Sequence, residues 1–501
     1  MGWKILVLLL SALPASAAGQ CSDLAALRLP HTTFTLAESI TNWPANMNSA
    51  SPPRPICRVA ATLEPTPDSH ILMEVWMPES NWNGKYLAVG NGGWSGSIAR
   101  NALAVAVTAG YAASSTDTGH QGSSASFALG HPEKLIDYAY RSEHEMALTA
   151  KSIIAAFYGE RPRLSYWNGC SAGGKQGLQE AQRYPEDFDG IVAGSPAANW
   201  TGRAAQSLWV QQAVHKDEAS YIPPEKYAAV HGAVLDACDA LDGVKDGVIE
   251  NPQACKFDPQ VLLCRNGDAA DCLTAPQVEA ARKIYGASVN PRTGARVYPG
   301  LASGSELSWR IWGGPQPLSI GLDYFRYVVF EDPQWDYRTL DFDRDIARAE
   351  KLDHDRINAL NPNLKPFFAR GGKLIQYHGW NDGQISPFNS VEYYRSVEAL
   401  LGPVGDSYRL FMVPGMGHCT GGEGATSFDA LPALEAWVEN KAAPARIVAS
   451  RVRSSYVSID EPVPLTSGKA DWTHPLCPYP QVAVYNGKGD PHDAASYVCG
   501  K

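Results

Sequence analysis

The chain has 501 residues, 45% hydrophobic and 19% charged, a composition that supports a large packed core and excludes a disordered polypeptide. Its 42 Lys and Arg against 52 Asp and Glu give a formal charge of -10 with no basic cluster, so a nucleic-acid partner has no electrostatic footing. Beyond the N-terminus no run approaches about 18 uninterrupted apolar residues, and no membrane span is expected.

At the N-terminus Lys4 precedes the apolar run 5–10 and the small residues Ala15-Ser16-Ala17. This is the pattern of a signal peptide over 1–18, cleaved after Ala17 or Ala18, and it predicts a secreted or periplasmic protein. Gln20 before Cys21 argues against a lipoprotein site. Strand-like runs follow at 71–77 and 86–89, the second ending in Gly90-Asn91-Gly92-Gly93. Residues 141–158 read as a helix, with Met146, Ala147, Ala150, Ile153, Ile154 and Phe157 on a period of about 3.6. A strand at 164–167 comes next, and strand, helix, strand implies βαβ units and a largely parallel sheet.

After 191–196 the pattern changes. Residues 199–366 are rich in Trp, Gly, Pro and Cys with few clear strands, and are expected to form an inserted lid. Core strands return at 373–379 and 408–414. The predicted organisation is an α/β catalytic domain from 19–198 and 367–501, interrupted by the lid. No internal repeat is present.

Gly169-Cys170-Ser171-Ala172-Gly173 matches the G-x-S-x-G elbow, whose glycines permit a sharp strand-to-helix turn that presents the serine. A helix is expected from Gly174. A serine hydroxyl needs a base within hydrogen-bond reach and a carboxylate to hold that base in one tautomer. In an α/β-hydrolase the chain order is Ser, acid, His, and Asp382 and His418 follow the two later strands in that order. His378, on the strand side of Asp382, is a rival base, better read as a structural hydrogen-bonder. Two N–H donors are needed for a tetrahedral intermediate, and Ala172 and Gly93 are the candidates; Gly92-Gly93 also fits a plain tight turn.

Ten cysteines, an even number in an exported chain, point to disulfides rather than metal thiolates. Spacing suggests Cys238 with Cys255, Cys264 with Cys272 and Cys477 with Cys499. Cys170 precedes Ser171 and Cys419 follows His418, so contact between serine and histidine brings these thiols together. Such a bridge closes a loop of about 250 residues, worth about 5 kcal/mol in chain entropy. Asp239, Asp242 and Asp246, with the carbonyls of Val244 and Val248, suggest a structural Ca²⁺ in a spacing unlike an EF-hand; a solvated acidic turn is the alternative. Trp309, Trp312, Tyr324, Phe325 and Trp335 in the lid suit a flat aromatic acyl group, or core packing. Asn199-Trp200-Thr201 is a glycosylation sequon near chance frequency.

Together, Gly-Cys-Ser-Ala-Gly-Gly at 169–174, Cys-Asp-Ala-Leu-Asp-Gly at 238–243, His-Gly-x-x-Asp at 378–382 and Pro-Gly-Met-x-His-Cys at 414–419 resemble the tannase and feruloyl esterase family. The resemblance runs over almost the whole mature chain. It implies an α/β-hydrolase core with a lid, a Ser171, Asp382 and His418 triad, the Cys170–Cys419 bridge, oxyanion donors at Gly93 and Ala172, and Ca²⁺ at the aspartate loop. It also implies a Cys21–Cys57 bridge. The implied substrate is a small aromatic ester, free or attached to plant polysaccharide: hydroxycinnamoyl first, galloyl second, and the monoester of terephthalate and ethylene glycol third. Trp312 lies in a segment like that third branch, which holds a substrate carboxylate with a lid arginine. No such arginine stands in 315–322, and neither Arg310 nor Arg326 is clearly equivalent. Rival readings are a non-catalytic exported binder of phenolics, against which the complete triad argues, and a peptidase on the same core.

Overall fold

The computed structural model describes residues 19–43, 54–451 and 470–501. The signal peptide expected at 1–18 lies outside the described residues. In chain order the strands are β1 (Thr32–Ile40), β2 (Ile56–Leu63), β3 (Ile71–Pro78), β4 (Lys85–Val89), β5 (Ala112–Thr116), β6 (Leu164–Cys170), β7 (Gly190–Gly194), β8 (Ser288–Val289), β9 (Arg296–Tyr298), β10 (Lys373–Gly379) and β11 (Tyr408–Val413). A nine-stranded sheet has the order β1-β2-β3-β5-β4-β6-β7-β10-β11. From β5 across to β11 the pairs are parallel, whereas β1, β2, β3 and β5 pair antiparallel. The expected parallel sheet is therefore extended by an antiparallel flank.

Side-chain alternation divides the core between two faces of this sheet. On β4, Tyr86 and Ala88 pack on one face and Leu87 and Val89 on the other; on β7, Ile191 and Ala193 oppose Val192. The first face is covered by the helix Ser142–Tyr158, which buries Met146, Ala150, Ile153, Ile154 and Phe157. That helix ends at Gly159 with φ 78°, a left-handed cap that glycine adopts without a Cβ clash. The helices Arg100–Thr108 and Leu431–Asn440 cover the second face.

Between β7 and β10 the chain adds no strand to the large sheet. The regular structure of segment 199–366 is helical apart from the small β8–β9 hairpin; one apolar cluster, around Trp309 and Trp312, lies within the segment, and a second, around Trp200, Leu208 and Phe325, is shared with Trp94, Tyr138 and Ala172. The helix Lys365–Ala369 straddles its predicted end. Downstream, β12 (Ile447–Arg451) pairs with β13 (Trp472–Leu476), and β14 (Val482–Tyr485) with β15 (Tyr497–Gly500), two hairpins the sequence reading did not foresee. All ten cysteines are paired, as Cys21–Cys57, Cys170–Cys419, Cys238–Cys255, Cys264–Cys272 and Cys477–Cys499. Among the described residues no helix is long and apolar enough to cross a membrane.

Candidate active site

Strand β6 runs straight into the elbow. Ser171 sits at φ 62° and ψ -119°, a conformation that non-glycine residues rarely take and that persists where surrounding bonds over-determine it. Its N–H donates to the Gly194 carbonyl at 2.9 Å, and its carbonyl accepts from Lys175 and Ala197, each at 3.1 Å. The flanking glycines allow the close approach this requires: a Cβ at Gly169 would stand 2.6 Å from the Gly173 carbonyl oxygen. The following helix is Ala172–Arg183, so it begins two residues before the Gly174 start read from sequence.

Asp382 follows β10 and is fully buried. Its Oδ1 accepts the backbone N–H groups of Gln384, at 2.7 Å, and Ile385, at 3.0 Å. Its Oδ2 accepts from His418 Nδ1–H at 2.7 Å and from His378 Nε2–H at 3.1 Å. Burial alone would push this carboxyl up; the His418 charge and the hydrogen bonds from both histidines outweigh it and hold the group well below the usual carboxylate range. With Nδ1 committed as donor, the neutral His418 ring carries its lone pair on Nε2. His378 is spent otherwise: its Nε2–H is shared with the Ile385 carbonyl at 3.1 Å and its Nδ1 accepts from Ser390 Oγ at 2.7 Å. It is a structural group, as its position on the strand suggested. Arg203, which carries no local motif, is buried and donates from Nε to the Gln384 carbonyl at 2.9 Å, bracing the Asp382 loop from the helix Trp200–Val214.

The Cys170–Cys419 bridge joins the neighbours of Ser171 and His418 across 249 residues, with a Cα separation of 6.0 Å. Ser171 and His418 line one cavity of about 550 Å³, together with Gly93, Trp94, Arg100, Asn101, Ile320 and Gln384. Gly93 has φ 51° and its carbonyl is turned away to accept the Tyr138 hydroxyl at 2.6 Å. Ala172 is the first helical residue, where an N–H has no intrahelical acceptor.

Asn91 ties the glycine loop to the elbow. Its N–H donates to Gln176 Oε1 at 3.0 Å, its Oδ1 accepts from Gln176 Nε2 at 3.2 Å, and its carbonyl accepts Gly173 N–H at 2.7 Å. Its Nδ2 donates to the carbonyls of Ser97 and Thr116, both at 2.9 Å. Gln176 Nε2 also donates to Glu143 Oε1. Behind this hub burial pushes the Glu143 carboxyl up and the Lys175 ammonium down, each opposed by the other's charge.

The structure does not bring Trp312 to the cavity. It is fully buried among Val210, Val214 and Ile284 in the helical layer, because a side chain this large and apolar gains more from a core than from a half-wet wall. Trp309, Tyr324 and Phe325 are likewise core residues, and Trp335 stacks on Phe330. Among the described residues of 199–366, Ser319 and Ile320 line the cavity. Both lie inside the 315–322 stretch, where the family resemblance directed attention to an arginine that is absent. Asn199 caps the helix that follows, accepting from Gly202 N–H at 2.8 Å, and Trp200 and Thr201 are buried, so the sequon is a structural cap.

In the aspartate loop, Gly243 and Gly247 turn the chain at φ 91° and 84°. Asp239 accepts the N–H groups of Asp246 and Gly247, at 3.2 and 3.1 Å; Asp242 accepts that of Val244 at 2.9 Å, and Asp246 that of Val248 at 3.1 Å. Burial, opposed by the Val244 N–H and reinforced by Glu250, Asp246 and Asp239, pushes the Asp242 carboxyl up to about 6. The donors are all oxygens, which suits a hard cation. Among the described residues, however, no three His, Cys, Asp or Glu side chains converge as a ligand group.

The sequence matches the family described as tannase and feruloyl esterase over residues 57–500. An uncharacterized esterase of Xanthomonas campestris pv. campestris is 37% identical, covering 97% of this chain and 92% of its own. A probable feruloyl esterase B-2 of Aspergillus terreus is 33% identical over 93% of this chain and 90% of its own. The crystal structure of feruloyl esterase B from Aspergillus oryzae superimposes with a TM-score of 0.89 at 28% identity, covering 96% of this chain and 99% of that one.

Proposed function

Because the chain belongs to the tannase and feruloyl esterase family and is a carboxylic ester hydrolase, we propose that it cleaves aromatic carboxylic esters through an acyl-enzyme on Ser171. A hydroxycinnamoyl (feruloyl) ester is the first acyl group and a galloyl ester the second. The carrying observation is His418 Nδ1 bonded to Asp382 at 2.7 Å in a cavity that Ser171 also lines, with a disulfide joining Cys419, next to His418, to Cys170, next to Ser171.

In this reading His418 Nε2 takes the Ser171 proton as Oγ attacks the ester carbonyl, then returns it to the departing alcohol. Asp382, held ionised, fixes the tautomer and stabilises the imidazolium. The N–H groups of Ala172 and Gly93 receive the oxyanion, and the Ala172 N–H gains from the positive end of its helix. Water activated by the same imidazole releases the acid. The test is a panel of methyl ferulate, coumarate, caffeate, sinapate and gallate with the purified protein, run beside Ser171→Ala. Fluorophosphonate labelling of Ser171 separates an esterase from a mere binder of phenolics, which has no activated serine.

Two further expectations belong here. A Ca²⁺ held by Asp239, Asp242 and Asp246 with the Val244 and Val248 carbonyls would brace the loop, and is tested by the melting temperature: chelation lowers it if the ion is resident, and leaves it unchanged otherwise. Export, supported by the bridges and by the N-terminal pattern, is tested by fractionating the culture.

A further inference from the structure

Gly93 lines the cavity with Ser171, and among the described residues its N–H donates to no group. The direction of that N–H is set by the peptide unit it belongs to, whose Gly92 carbonyl accepts the Ser95 N–H at 2.8 Å. In a trans peptide N–H and C=O point opposite ways, so fixing the carbonyl fixes the donor. The Ser95 N–H in turn belongs to the unit whose Trp94 carbonyl lies 2.8 Å from His120 Nε2. A carbonyl only accepts, so Nε2 carries the hydrogen and donates it. The result is a file of donors running one way: His120 Nε2–H to Trp94 C=O, Ser95 N–H to Gly92 C=O, and the Gly93 N–H at the open end.

His120 reaches Trp94 because the chain turns sharply after β5. Thr118 and Gly119 have φ 61° and 86°, and Asp117 Oδ1 holds the turn by accepting the N–H groups of Gly119 and Leu72, each at 2.9 Å. The His120 ring is buried and stacked on Phe127, 3.8 Å between centroids, with Nδ1 3.3 Å from the Thr118 hydroxyl. Burial pushes its pKa below the ordinary histidine value, so near pH 7 the ring is neutral and its single N–H is spent on Trp94. His120 itself stands outside the cavity lining. Given the esterase reading above, on which this inference rests, we propose that His120 is a positioning residue for the oxyanion: through two peptide units it aims the Gly93 N–H and polarises it, each bond of the file strengthening the next.

The test compares His120→Phe, which keeps a ring against Phe127 and removes the donor, with His120→Gln, whose amide N–H restores a donor to the Trp94 carbonyl. In His120→Phe, kcat for the best ester of the methyl panel is expected to fall by about tenfold with KM unchanged, and in His120→Gln most of that loss is regained. The readout that a purely structural role would not move is a pair of inhibitors. One is an aryl trifluoromethyl ketone, to whose carbonyl Ser171 Oγ adds while its proton passes to His418 and the carbonyl oxygen becomes the oxyanion. The other is the matching methyl ketone, which binds without adding. His120→Phe is expected to narrow the ratio of their inhibition constants by about the same factor as kcat. Because each ratio is taken within one protein, a variant that folds in low yield still reports. An unchanged ratio in His120→Phe, or a His120→Gln variant as impaired as His120→Phe, overturns the inference and leaves the esterase assignment standing. Failure of the wild type to hydrolyse any ester of the panel overturns that assignment and this inference with it.

Discussion

The wall built from residues 90–102 and the wall contributed by Ile320 face the same cavity and are held in unlike ways. The first is locked through Asn91, whose backbone and side-chain polar groups all bond to the elbow helix, to Ser97 or to the end of β5. The second belongs to the short helix Ser319–Asp323 and is moored by separate bonds: Trp94 Nε1–H to the Ile320 carbonyl at 3.0 Å, and the Ser124 hydroxyl to Asp323 at 2.7 Å. A converging network fixes geometry to the tolerance that bond-making needs, whereas a few moorings fix a surface well enough to recognise a shape. On the proposed reading, the chemistry therefore belongs to the core and the recognition of the acyl group to the insertion.

The largest effect that can break this division is loss of the nucleophile. Ser171→Ala should lower kcat by about a millionfold on every aromatic ester tried, with the melting temperature unchanged, since the strained backbone at 171 is fixed by main-chain bonds. Retained turnover would move the chemistry elsewhere. Next in size is the clamp. Replacing both Cys170 and Cys419 by serine should cost up to about 5 kcal/mol of stability, read from denaturant unfolding, and should lower kcat as His418 loses its register with Ser171. A stability loss with unaltered kcat would show that the bridge serves the fold alone.

The hub itself is tested by Gln176→Leu. Removing the amide takes away both Gln176 bonds to Asn91, leaves that residue tied to the elbow helix by the Gly173 N–H alone, and lets the Gly93 N–H drift from Ala172, so kcat should fall by about 10² to 10³ with KM little changed, the pattern of a lost transition-state interaction. Affinity for a boronic acid analogue should fall in parallel. An equal rise in KM would assign Gln176 to substrate binding instead.

How much of this was legible in the sequence follows from the range over which each feature is made. The elbow is local: five residues carry the glycines, the serine and the turn, and β6, β10 and β11 around it are buried runs bounded by turn residues. Strand β1 was not seen because its alternation is half exposed and broken by a register shift between Phe34 and Leu36, and β5, Ala-Ala-Ser-Ser-Thr, carries little apolar signal. Trp312 was misplaced for a related reason: aromatic content marks a large buried side chain without saying whether a core or a cavity buries it. His120, Arg203 and Ile320 act through partners dozens to hundreds of residues away, which no local pattern encodes.

Ile320→Ala carries the smallest effect and separates the two walls most directly. The substitution keeps the main-chain bond to Trp94, because that bond uses the Ile320 carbonyl, and the side chain that disappears stands over Gly93 without bonding to it. What is lost is apolar contact made equally with substrate and transition state, so KM for the preferred aromatic ester should rise by roughly tenfold while kcat holds. An aliphatic ester, which leaves that wall unfilled, should be nearly indifferent. If kcat falls instead and KM stays, the insertion takes part in the chemistry and the separation between a rigid reacting wall and a moored recognising wall is wrong.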